Sequence, residues 1–187
     1  MRFSVSIRMR VLKAYTVTLI NIGSDSNSTL KAESVEGQLL EICTFIKDAE
    51  RTTTKNPENR NSITSFSCNF ITKVANIGFT FPLSQGINSN GQPISTATNY
   101  LVNTGFVGAT EGTLLSNSPE KVFLELLTYI QLLENDVTKN PDGNNNVTFS
   151  IEGDDSVVTG NMSLPILFGT NATTGEVVIG ANEYLRD

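Results

Sequence analysis

Apolar residues recur at helical spacing in two stretches of the chain. In the first, Val35, Leu39, Ile42, Cys43, Ile46 and Ala49 share one stripe, while Glu36, Gln38, Glu41, Lys47 and Asp48 fall outside it. Ser34 supplies an N-cap hydroxyl, so a helix is predicted from Val35 to about Arg51. In the second, Phe123, Leu126, Leu127, Ile130 and Leu133 repeat the stripe behind Ser118, with Pro119 at the first helical position and Glu120 next to it. Thr-Lys-Asn-Pro follows each stretch; lysine favours a helix C-terminus, and proline prevents the helix continuing. Asn56 and Asn140, each before a proline, are expected in extended or turn conformation.

Elsewhere the period is two. Phe66, Cys68 and Phe70 alternate within Ser62 to Ile71, and Ile77, Phe79 and Phe81 alternate within Asn76 to Pro82. Val147, Phe149 and Ile151, then Met162, Leu164 and Ile166, do the same later in the chain. Alternation gives each strand one buried and one wet face, the mark of an antiparallel sheet. Asn90-Gly91 and Thr174-Gly175 are turn signals leading into last strands predicted at Pro93 to Val102 and Glu176 to Leu185. Val11 to Ile22 is rich in β-formers, and Val11 to Leu19 reads as an earlier copy of that last strand.

These elements repeat. Ser34 to Thr64 aligns without a gap on Ser118 to Thr148, with about 13 identities over roughly 31 positions. They include Glu36/Glu120, Glu41/Glu125, Glu50/Glu134 and the Thr-Lys-Asn-Pro runs. With one-residue slips the match extends through Pro82/Pro165, Gly91/Gly175 and Tyr100-Leu101/Tyr184-Leu185. The expected fold is α+β: an internally duplicated strand-helix-three-strand unit, antiparallel sheet or sheets with two helices on one face, and pseudo-twofold symmetry. It forms a single domain of tandem repeats at about 11–102 and about 95–187 that share a central strand. This order, strand, helix and three strands twice over, resembles the element order of sliding-clamp domains; the resemblance extends to element order alone.

The two helices differ at one edge of the stripe, beside Phe45 and Tyr129. Val122 replaces Gln38 and Leu132 replaces Asp48, widening the apolar arc from about 160° to about 220° at 100° per residue. The second helix is therefore expected to pack against more than one surface. That surface is the other repeat, a neighbouring subunit or a partner, with intramolecular packing the simplest. Val122, Tyr129 and Leu132 are the candidate interface residues.

Composition narrows function mainly by exclusion. The chain of 187 residues is 39% hydrophobic and 17% charged, with a net charge of −6. That balance argues against unspecific binding to nucleic acid or an anionic membrane. Arg2, Arg8, Arg10 and Lys13 form the one basic cluster; they also interrupt any candidate signal-peptide core, and no apolar run is long enough to span a membrane. A cytoplasmic protein is expected, and the sequons at Asn27, Asn146, Asn161 and Asn171 carry no weight. Cys43 and Cys68 read as buried thiols, with a Cys43–Cys68 disulfide as the alternative.

With no histidine, imidazole bases and His-based triads are excluded. No catalytic residue, cofactor site or metal site is assigned. The loop Asn140 to Asn146 is rich in oxygen ligands but lacks the bidentate glutamate of a calcium loop, so a polar turn is expected. Glu152, Asp154 and Asp155 form the one acidic cluster worth testing as an acid/base or cation site. Asp25 to Thr29 reads as a linker. Three functions follow in order: a self-associating structural or assembly protein without enzymatic activity; a binding module for a protein, peptide or glycan; and, last, a carboxylate-dependent enzyme.

Overall fold

The computed structural model describes residues 28–87, 90–108, 114, 116–152 and 156–186. The strand expected at Val11 to Ile22, the basic cluster from Arg2 to Lys13, the Asn27 sequon and most of the loop from Asp25 lie outside the described residues. The element order is α1 (Val35–Glu50), β1 (Ile63–Asn69), β2 (Val74–Ile87), β3 (Pro93–Ala97), α2 (Pro119–Glu134), β4 (Val147–Glu152), β5 (Val157–Thr170) and β6 (Val177–Ala181). The fold is α+β. Its antiparallel sheet has six strands in the order β1-β2-β5-β4, with β3 paired to β2 and β6 to β5, and both helices pack against it.

Both helices begin where the caps predict. Ser34 Oγ accepts from the Gly37 amide at 3.1 Å and Ser118 Oγ from the Lys121 amide at 3.3 Å, satisfying backbone donors the first turn leaves free. Each helix ends in an asparagine knot. Asn56 Nδ2 donates to the carbonyls of Glu50 (3.1 Å) and Arg60 (2.7 Å), and its Oδ1 accepts from the Arg60 amide at 3.0 Å. Asn140 makes the same set with Glu134, Asn144 and the Asn144 amide. The asparagine, not only the proline, terminates the helix, because it supplies partners to carbonyls the last turn leaves open.

The sheet is built on β2 and β5, paired from Val74↔Pro165 to Pro82↔Val157. Beyond that stretch each strand changes neighbour: Leu83–Ile87 pairs with β3, and Ile166–Thr170 with β6. Pro82 and Pro165 sit at these changes. Each lacks an amide donor but offers a carbonyl, which accepts from Thr98 and Asn182 respectively at 2.8 Å. One sheet face carries Ala75, Ile77, Phe79, Phe81, Leu83, Val158, Met162, Leu164 and Ile166, all buried. Over it lie the helices: Phe123 of α2 stacks on Phe81 at 4.5 Å and meets Phe79 edge-on at 5.1 Å. Each such side chain contributes roughly 1.5–3 kcal/mol on burial. The other face presents small polar side chains, among them Ser65, Ser67, Asn76, Asn161 and Ser163, all exposed.

Two expectations are corrected. The last strands stop at Ala97 and Ala181, short of Val102 and Leu185, because the amides of residues 100–101 and 184–185 turn to helix carboxylates instead of a strand. Glu36, Gln38 and Glu41, expected outside the apolar stripe, are buried. Apart from these corrections, α1 is enclosed along its first half, with every residue from Val35 to Cys43 buried. Residues 28–32 fold over it, with Leu30 and Ala32 in contact with solvent at only 1% and 3%. Phe106 meets Phe45 edge-on at 5.3 Å on the same helix.

Candidate functional site

The chemistry-bearing side chains collect along the helices as a frame of buried and half-buried carboxylates. Glu36, in the first turn of α1, accepts from the amides of Tyr184 (3.0 Å) and Leu185 (2.8 Å). Glu120, in the first turn of α2, accepts from those of Tyr100 (2.9 Å) and Leu101 (2.7 Å). At the other ends, Glu50 takes the Ser62 amide at 2.6 Å and the Tyr100 hydroxyl at 2.7 Å. Glu134 takes the Asn146 amide at 2.8 Å and the Tyr184 hydroxyl at 2.5 Å. Glu41 ties residues 31–32 to α1 through the Lys31 and Ala32 amides, at 2.6 and 3.1 Å.

Burial sets the electrostatics of this frame. It raises the carboxyls of Glu36, Glu41 and Glu50 above the ordinary glutamate range, against backbone donors that pull the other way. Burial also pushes up the phenols of Tyr100 and Tyr184, so both remain neutral donors. These carboxylates are engaged with backbone amides and phenols, an arrangement that fastens loops to helices. Among the described residues, no group of three or more Cys, Asp or Glu is placed to hold a metal ion.

The residues singled out from the sequence are scattered. Val122 is completely buried, Tyr129 is half-buried and Leu132 is 64% exposed, so of the two apolar additions only Leu132 reaches the surface. Glu152 is exposed at the end of β4 and accepts from the Ser150 hydroxyl at 3.1 Å; Asp154 and Asp155 lie outside the described residues. The Asn140 to Asn146 loop is a turn around Gly143 (φ +64°), with Asn140 and Asn146 committed to the helix end. Cys43 and Cys68 are free thiols, the first buried. Burial raises both, Cys43 far above the ordinary thiol value.

Two features escaped the sequence. The buried glutamates look like outward helix residues, yet glutamates stand at the same spacing behind each N-cap serine, Glu36, Glu41 and Glu50 in α1 and Glu120, Glu125 and Glu134 in α2, and that matched spacing is the signal the sequence holds. The second is a pair of exposed aromatics: Phe70, after β1, meets Phe168 of β5 edge-on at 5.4 Å, beside Ile71, which is 93% exposed. Their separation in sequence hides that contact.

Fold and side-chain frame define a protein of the α+β class with an antiparallel sheet. No protein-family model, curated protein or solved structure matches the chain. Among the described residues, no helix is long and apolar enough to cross a membrane.

Proposed function

We propose that the chain is a duplicated, self-associating structural protein without enzymatic activity. The observation that carries this reading is an incompletely covered apolar row at the flanks of the sheet. Phe66 and Cys68 on β1 and Phe149 on β4 point to the helix side but are only half-buried, and Ile151 is 46% exposed. The core packs against one side of Phe66, Cys68 and Phe149, and the remainder is left for another molecule to cover. The engaged carboxylates support the same reading, since the glutamates of the frame are held by backbone donors.

The duplication is supported by the register. Ile63↔Phe79 and Leu83↔Ala97 correspond to Val147↔Met162 and Ile166↔Ala181. The bulge between Ile63 and Ser65 absorbs the slip between the aligned copies. A pseudo-twofold axis would then pass near the Gly78↔Asn161 pair. Sedimentation velocity over a concentration series tests self-association: a species heavier than the monomer is expected, and monomer at every concentration rejects it.

The exposed Phe70, Ile71 and Phe168 favour a second reading, a binding module that takes an apolar segment of another protein at this end of the sheet. Loss of a bound partner in Phe70→Ser, with self-association intact, would select it.

A further inference from the structure

We propose that the outer edges of β1 and β4 are two equivalent docking surfaces for further copies of this chain, so that association propagates instead of stopping at a dimer. The inference rests on the self-association proposed above and specifies its site and valence. Among the described residues, no strand pairs with either outer edge. An unpaired edge offers a row of amides and carbonyls to any compatible strand. Natural sheets guard such edges with lysine, proline or inward charge. Here β1 has no proline or charged residue of its own and β4 carries only Glu152, at its end; helix side chains reach only the first residue of each edge, Lys47 and Glu50 at Ile63 and Glu134 at Val147.

Three observations make another copy of the chain the fitting occupant. First, the edges match each other. Phe66 lies opposite Ile77 and Cys68 opposite Ala75, while Phe149 lies opposite Gly160 and Ile151 opposite Val158. Each edge thus offers one half-covered aromatic and a smaller apolar side chain on the helix side. Second, strand direction is compatible. β1 is antiparallel to β2, β2 to β5 and β5 to β4, so β1 and β4 run in opposite senses. A copy added beside the sheet in the same orientation sets its β4 antiparallel to this β1, with both apolar rows facing the helices. Third, the chain carries a net charge of −6, which separates like molecules, yet its edges are almost free of charge. The period of two restricts the register to shifts that keep both apolar rows on one side.

Two edges on opposite sides of one sheet give each copy a valence of two. Such contacts build a closed ring or an open filament. The test places an inward-pointing lysine on each edge: Cys68→Lys on β1, Ile151→Lys on β4, and both together. Sedimentation velocity measures the assemblies, with circular dichroism confirming that each variant is folded. The wild type is expected to exceed a dimer, and each single variant, like the double variant, to be monomeric, because every contact needs one β1 and one β4 edge. A folded single variant that still forms assemblies as large as the wild type overturns the edge proposal while leaving self-association standing, as does a wild type that stops at a dimer. A wild type that is monomeric throughout overturns both. Should a variant fail to fold, Ser67→Lys and Ser150→Lys, on the exposed face of the same strands, replace the pair with the same expected outcomes.

Discussion

The Tyr100 hydroxyl donates to Glu50 Oε1 at 2.7 Å, joining the chain after β3 to the last residue of α1. Tyr184 and Glu134 repeat this contact at 2.5 Å between the chain after β6 and α2. Each phenol therefore packs in or against the core and supplies its carboxylate with a hydroxyl donor. Tyr100→Phe keeps the ring and removes the donor. The expected cost is about 1–2 kcal/mol, read from the urea midpoint, with a similar loss for Tyr184→Phe. A neutral result in both would mean that the amide donors alone satisfy the carboxylates.

Stability should fall as pH rises above the ordinary glutamate range. Burial raises Glu36, Glu41 and Glu50 above their ordinary value. For such groups the favourable contribution is fully present below the unfolded pKa, about 4.3, and is lost as pH rises through the folded pKa. Urea midpoints are therefore expected to be higher near pH 5 than near pH 8, and Glu36→Gln should flatten the slope. An unchanged slope in that variant would remove Glu36 as a contributor.

Gly160 is a packing requirement. A Cβ there would lie 2.3 Å from the Thr148 carbonyl oxygen and 2.5 Å from Phe79 Cζ, and the first of these is backbone that has little room to yield. Gly160→Ala should cost about 3 kcal/mol. Gly180, where an added Cβ meets nothing within 4 Å, is the control, and Gly180→Ala should be close to neutral. Equal effects at the two sites would contradict the packing.

Thiol chemistry separates the cysteines. Cys43 is fully buried and Cys68 only half-buried, so an aromatic disulfide reagent should modify Cys68 slowly and leave Cys43 intact until urea unfolds the protein. Rapid reaction of both thiols in the native state would show that α1 opens readily.

Much of the fold was legible because its signals are local. Ser34 and Ser118 mark helix starts through a side chain that reaches its own first turn. Phe66, Cys68, Ile77 and Phe79 mark strands through alternation. The burial of Glu36 could not be read in this way, since it depends on residues 184–185, far along the chain, arriving at the first turn of α1. The last strands were overextended for the same reason: residues 100–102 have strand-like composition, but their amides find Glu120 and the Lys55 carbonyl. The candidate site was less legible still. Leu132 remained at the surface and Val122 did not, because helix periodicity gives the direction of a side chain but not what lies opposite.

By itself, then, the sequence determined the helices, their caps, the alternating strands and the absence of histidine chemistry, all of which depend on neighbours a few residues apart. Only the tertiary structure decided which polar side chains are buried, that β2 and β5 pair at the centre, and that β1 and β4 are left at the margins. Those outcomes depend on contacts between distant segments, where a carboxylate is stable in the interior only if the right amides arrive to meet it.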